Sequence, residues 1–169
     1  MTELVQQVAA LGGAVGWLVV PTREEVESWL AALFASGARL AVAEQDAELL
    51  GCGAWRRRDG EALARIAEIS KLMTLPAQRG RGVGRAVVEA LVEDAGAAGV
   101  ELLTMECRGN NHAALHLYAS LGFEVTGRRP DAIAVGDERF DQVLLHRDLR
   151  SGPAGLIRHG GRREGPGSS

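Results

Sequence analysis

Apolar residues in this chain recur first at helical spacing, then at alternating spacing, then at both in turn, and each change of period marks the edge of an element. Thr2 to Leu11 reads as a short helix and Trp17 to Val20 as a strand ahead of Pro21. From residue 22 to 36, Thr22 precedes Glu24 and Glu25 while Val26, Trp29, Leu30 and Leu33 recur at helical spacing, the pattern of a capped amphipathic helix. Leu40 to Glu44 and Leu49 to Trp55, parted by the polar turn Gln45-Asp46-Ala47, predict an antiparallel pair. A strand follows from Arg65 to Leu75, and Pro76 closes it. Next comes a helix in which Val83, Val87, Ala90 and Leu91 share one face while Arg85, Glu89 and Glu93 turn to water; Gly99 ends it. Val100 to Cys107 is a strand, and Asn110 or Asn111 caps a helix that carries Ala114, Leu117, Tyr118 and Leu121 on one face and stops at Gly122. Two further strands, Phe123 to Gly127 and Gln142 to Arg147, flank a loop rich in charge and glycine, and from about Arg150 the periodicity gives way to a disordered tail.

A length of 169 residues with 46% hydrophobic content supports a single domain with its own core. No apolar run approaches the roughly 20 residues of a membrane span, and no basic stretch leads into an apolar signal core, so a soluble cytoplasmic protein with no membrane partner is expected. A net charge of -3 argues against a general nucleic-acid binder. The run Arg56-Arg57-Arg58 stands beside Asp59-Gly60, a hairpin turn, and reads as a solvated strand edge. Cys52 and Cys107 lie in apolar surroundings without Cys-x-x-Cys spacing, which suits buried thiols. His112 and His116 have helical ligand spacing but no third ligand, so no metal is expected. Trp17, Trp29 and Trp55 suit a core or the wall of a binding site better than a base-stacking platform.

The stretch Gln78-Arg79-Gly80-Arg81-Gly82-Val83-Gly84 carries the chemical signal, because it joins a strand to a helix. Alternate glycines let a ligand approach the backbone, the first turn of a helix offers free N–H groups, and Arg79 and Arg81 add positive charge: the features of a pyrophosphate cradle. A P-loop would put Lys and Ser or Thr after the last glycine, where Arg85 and Ala86 stand; a dinucleotide fingerprint would need glycine at Arg85. The pattern Gln/Arg-x-x-Gly-x-Gly/Ala, met by Arg79, Gly82 and Gly84, resembles instead the coenzyme A loop of the GNAT N-acetyltransferase superfamily. A second block, Asn111 to Phe123, resembles that superfamily's Asn-x-x-Ala-x-x-Leu-Tyr-x-x-x-Gly-Phe signature, and together the likeness covers roughly residues 38 to 149.

The resemblance implies one α/β (α+β) domain: a central, mostly antiparallel mixed sheet flanked by helices, with strands splayed by a bulge at the cofactor site. Acetyl-CoA is the implied co-substrate, held by Leu72, Met73, Thr74, Arg79, Gly80, Arg81, Gly82, Val83, Gly84, Arg85, Asn111 and Tyr118. Pantetheine amides would pair with the bulged segment Leu72-Met73-Thr74 like an added strand.

Acetyl transfer to an amine needs a base for the amine, polarisation of the thioester carbonyl, and a proton for the departing thiolate. Glu68, fourteen residues before Gly82, matches the catalytic glutamate of histone acetyltransferases in this superfamily. Glu106, twelve residues before Tyr118, matches the base position of the ribosomal-protein alanine acetyltransferases. The choice between them stays open. Tyr118, the single tyrosine of the chain, is the candidate acid, since a phenol with a pKa near 10 stays protonated at neutral pH. Direct transfer in a ternary complex is expected, without an acetyl-cysteine intermediate.

The acceptor is read as a small-molecule amine. A peptide N-terminus or lysine is the alternative, weakened because Pro130-Asp131-Ala132-Ile133 stands where the alanine acetyltransferases carry a tyrosine-bearing loop. A coenzyme-A-binding sensor without turnover is the reading from another class. The expected assembly is a homodimer.

Overall fold

The computed structural model describes residues 1–11, 17 and 19–150. In chain order they form α1 (Thr2–Ala10), α2 (Arg23–Ala35), β1 (Arg39–Gln45), β2 (Glu48–Arg57), β3 (Ile66–Thr74), α3 (Val83–Ala97), β4 (Leu102–Arg108), α4 (His112–Ser120), β5 (Glu124–Val135) and β6 (Glu138–Asp148). The six strands make one sheet in the order β1-β2-β3-β4-β6-β5, in which only β3 and β4 run parallel, so the mostly antiparallel mixed sheet is observed. The β3–β4 connection is the crossover that carries α3, as parallel neighbours require.

The sheet is covered on both faces, and its two apolar clusters show which helices cover which strands. Val87, Val88 and Leu91 of α3, Tyr118 of α4 and Leu121 just after it pack with Ile69, Leu103, Met105, Val143 and Leu145. Leu4, Val5 and Val8 of α1 and Val26 of α2 pack with Leu50, Cys52, Met73 and Leu75 on the other face. On α3 the buried stripe is Val87, Val88, Leu91 and Ala95, whereas Ala90, expected on that face, is exposed. Burying a side chain such as Leu91 completely contributes about 1.5–3 kcal/mol, so this stripe fixes α3 against the sheet.

Local signals explain the helix starts. Thr22 Oγ1 accepts from the Glu25 backbone N–H at 3.2 Å while the Glu25 carboxylate accepts from the Thr22 N–H at 2.7 Å, a reciprocal cap on α2. Asn111, rather than Asn110, caps α4: its side chain accepts from the Ala114 N–H at 3.3 Å. Two residues of the arginine run make internal ties. Arg57 donates to the carbonyls of Ala64 and of Ala98, the latter at the C-terminus of α3, where a cation meets the negative end of the helix; Arg56 pairs with Asp59. Trp55 Nε1 donates to Asp94 of α3 at 2.8 Å, and Arg39 pairs with the same carboxylate.

Two expectations need correction. Trp17, Val19 and Val20 are not in strand conformation, and Leu18 lies outside the described residues. Trp17 packs edge-to-face on Trp29 of α2, with centroids 5.1 Å apart, while Val19 is 77% exposed. The charged stretch after Gly127 is not a loop either: β5 and β6 form one long hairpin turning at Gly136. Its outer part packs against little, so no apolar alternation was needed to make it a strand, and irregularities between Val125 and Gly127 and between Arg129 and Ile133 break the period further. The tail expected from Arg150 lies, beyond that residue, outside the described residues.

Candidate active site

The parallel pair β3–β4 is in register only from Ile66 with Leu102 to Ile69 with Met105. Past that point β3 stays on β2, ending with Met73 opposite Cys52 and Thr74 opposite Gly51, and β4 stays on β6, ending with Arg108 opposite Gln142. The two strands therefore part, and a cleft of about 860 Å³ opens between them.

What turns β3 away is a bulge. Ala54 is opposite Ser70 and Cys52 opposite Met73, so Lys71 and Leu72 together face the single residue Gly53. Lys71 takes a left-handed backbone, φ 59°, a conformation that costs an L-residue about 1–2 kcal/mol. The extra residue reverses the alternation: Ile69 joins the cluster under α3 and α4, and Met73 joins the cluster under α1 and α2. The bulge was expected in Leu72-Met73-Thr74; it begins one residue earlier. β2 accommodates it with glycine, since a Cβ on Gly53 would lie 2.6 Å from Leu72 Cδ2 and 2.9 Å from Leu91 Cδ1.

At one end of the cleft, a short 3₁₀ turn, Pro76–Gln78, leads into the glycine stretch. Gly80 and Gly82 have φ of 75° and 85°, and a Cβ on either would meet nothing within 4 Å, so these glycines serve the left-handed turn and leave open space above it. The first helical bond of α3 runs from the Ala86 N–H to the Gly82 carbonyl at 3.0 Å, leaving the N–H groups of Val83, Gly84 and Arg85 without helical acceptors. No side chain caps this terminus. Such a turn is built to receive an anion.

Every residue assigned from the sequence lines this cleft except Arg81, which lies behind the turn with Gln45, Asp46 and Glu48. Thus Glu68, Leu72, Met73 and Thr74 come from β3, Arg79, Gly80, Gly82, Val83, Gly84 and Arg85 from the turn and α3, and Glu106, Asn111 and Tyr118 from β4 and α4. Arg85 is braced: its guanidinium donates to Ser120 Oγ at 2.7 Å and approaches Glu89 at 3.5 Å. Asn111 uses its oxygen as the cap, which leaves its amide N–H₂ as donor.

The two carboxylates differ in their surroundings. Glu106 accepts from the Gln142 amide and pairs with Arg129 at 3.5 Å, and Arg129 also donates to Gln142 at 2.8 Å, so Glu106 is a clasp between β4 and the β5–β6 hairpin. Glu68 is exposed to the cleft, and its carboxylate makes no hydrogen bond or ion pair among the described residues. Tyr118 is 8% exposed, packed edge-to-face on Phe123 with centroids 6.3 Å apart, and burial pushes its phenol pKa upward, so the hydroxyl keeps its proton. Burial also raises the Cys107 thiol and pushes the Cys52 thiol up to about 12, which makes both poor nucleophiles. Among the described residues no His, Cys, Asp and Glu cluster could hold a metal ion, and no helix is long and apolar enough to cross a membrane.

Lys71, Arg108, Ile133 and Gln142 also line the cleft and were not assigned from sequence. Ile133 comes from the stretch expected as a loop, Gln142 begins the strand expected after it, and no motif marks either. Lys71 did carry a signal, being the only lysine in the chain.

An α/β domain whose central parallel strands part over a glycine turn and a bare helix N-terminus is an arrangement that could seat an extended, anion-bearing ligand between its strands. The chain belongs to the acetyltransferase (GNAT) family, whose family model matches residues 13–123. It is similar to the L-amino acid N-acyltransferase MnaT of Escherichia coli K12, 30% identical over 106 residues, 61% of this chain and 60% of the relative. It also resembles the ribosomal protein bS18 alanine N-acetyltransferase of the same organism, 36% identical over 70 residues, 41% of this chain and 47% of the relative. The matched segments thus span about half to three fifths of these relatives. In fold it is similar to the acetyltransferase yncA of Salmonella typhimurium, solved with its cofactor acetyl-CoA, with a TM-score of 0.77, 24% identity, and coverage of 92% of this chain and 90% of that one.

Proposed function

We propose that this protein transfers an acetyl group from acetyl-CoA to the amine of a small molecule, directly and within a ternary complex. The observation that carries the reading is the single cleft that joins an anion-ready turn to a bulged, unpaired strand edge and presents Glu68 and Tyr118 within it. The names of the amino-acid acyltransferase and of the acetyl-CoA complex among its relatives agree with it.

In this reading the turn from Arg79 to Gly84 and the α3 N-terminus hold the diphosphate, and Asn111 donates from its amide. The free edge of Leu72, Met73 and Thr74 pairs with the pantetheine amides and aims a backbone N–H at the carbonyl oxygen. Acetyl-CoA supplies an acyl carbon activated as a thioester. Glu68 takes a proton from the acceptor amine as its nitrogen bonds to that carbon; the C–S bond breaks, and Tyr118 gives its hydroxyl proton to the thiolate. Tyr118→Phe, which keeps the packing on Phe123, is expected to lower kcat about 10²-fold and leave the dissociation constant for acetyl-CoA within threefold. A variant with full turnover would remove Tyr118 from the acid role.

The test of the whole reading pairs two measurements: thermal stabilisation by acetyl-CoA, and thiol release over a panel of small amines and peptides. Stabilisation of at least several degrees with turnover of small amines is expected. Stabilisation without any thiol release would make the chain a sensor, turnover of peptides alone would make it a protein acetyltransferase, and no stabilisation would overturn the cofactor assignment.

A further inference from the structure

The geometry points to Lys71 as the anchor for an anionic group on the acceptor, so that the small amine taken by this site is a zwitterion carrying a carboxylate. This rests on the acetyltransferase reading above and specifies its acceptor.

Three observations converge on this residue. The chain holds eighteen arginines and a single lysine, and that lysine stands at the bulge of the central strand, lining the cleft. Its backbone is left-handed. If the position served only to form the bulge, glycine would meet the requirement without steric cost, so the strain of an L-residue marks a use for its side chain. Finally, the ammonium lies 5.9 Å from the ring centroid of Trp29, which itself packs on Trp17. The bulge thus turns Lys71 toward α2, away from the α3 side where Ile69 is buried, and brings its charge to the face of the sheet that presents Glu68 and Glu106.

Two nearby cations are committed: Arg129 pairs with Glu106, and Arg85 with Glu89 and Ser120. Among the described residues Lys71 has no carboxylate within ion-pair distance, and a ring below it is a weak partner beside a carboxylate. An incoming acceptor would place its carboxylate on Lys71 and its amine toward Glu68, both of which line the cleft. A compact ammonium on a flexible stem suits acceptors of varied size better than a guanidinium fork would.

The experiment measures kcat and KM with acetyl-CoA for matched acceptors that differ only in charge: L-phenylalanine against L-phenylalaninamide, L-tryptophan against its amide, L-methionine against its amide. The wild-type protein is expected to favour the carboxylate member of at least one pair by tenfold or more in kcat/KM. Lys71→Met should collapse that ratio toward one, chiefly by raising KM for the carboxylate member, and Lys71→Arg should keep most of it. Lys71→Gly, which relieves the left-handed backbone, guards against a folding artefact and should also lose the preference while still being stabilised by acetyl-CoA. Absence of a carboxylate preference in all three wild-type pairs, or a ratio unchanged in Lys71→Met and Lys71→Gly, overturns the assignment while leaving the acetyltransferase reading intact. If no amine of either kind is acetylated, the activity itself is wrong and the acceptor anchor falls with it.

Discussion

Replacing Glu68 by Gln is expected to lower kcat by about 10²–10⁴-fold at neutral pH while acetyl-CoA still stabilises the protein to within threefold in affinity. The substitution preserves size and removes only the ability to take a proton, and Glu68 stands free in the cleft with no structural partner to lose among the described residues. The deficit should shrink as pH rises toward the pKa of the acceptor, about 10 for a lysine-like amine, because the substrate then arrives already neutral. A pH–rate profile of both proteins reads this directly. Unchanged turnover across pH, together with loss in Glu106→Gln, would move the base to β4. The structure argues against that exchange, since Glu106 is held by Gln142 and Arg129 and its removal would loosen the hairpin as well.

Gly53→Val is expected to destabilise the fold by about 3 kcal/mol, the upper end of overpacking costs, and to lower Tm by roughly 6–12 °C. Even the first added carbon would lie 2.6 Å from Leu72 and 2.9 Å from Leu91, so β2 would push at once on the bulge and on the buried stripe of α3. Leu72 is part of the strand edge that should receive the pantetheine arm, so the same change ought to weaken acetyl-CoA binding beyond the loss of stability. Gly37→Val offers the contrast: it sits at φ 75° with nothing within 4 Å of its Cβ, so it carries backbone strain without crowding any neighbour. Differential scanning calorimetry of the two proteins with and without acetyl-CoA separates packing from strain. Equal Tm in Gly53→Val and wild type would show that α3 does not press on β2 as closely as these distances imply.

Much of the site is legible in the sequence because its chemistry is local. The glycine turn, its arginines, the start of α3 and the Asn111 cap lie within short stretches whose backbone requirements are written in residue type: glycine where φ is positive, asparagine where an N–H needs an acceptor. The β2 glycines also carry a signal, as glycine inside a strand marks a close approach. Less legible are features set by neighbours far along the chain. The outer β5–β6 hairpin has no buried face to impose a period, so its charged residues read as a loop and Ile133 goes unassigned with it; Gln142 was placed in a strand, but nothing local ties it to Glu106. Trp17 to Val20 has the composition of a strand, yet Trp17 finds its partner in Trp29.

By itself the sequence determined most of the order of elements, the glycine turn between β3 and α3, and the family, since helical and alternating periods and short glycine motifs depend on residues close in the chain. Only the tertiary structure decided where β3 bulges, that Lys71 faces α2, that Arg81 lies behind the turn, and that Glu106 is clasped while Glu68 is free. Those outcomes depend on register between strands and on side chains tens of residues apart, and a single extra residue in one strand reverses every side chain beyond it.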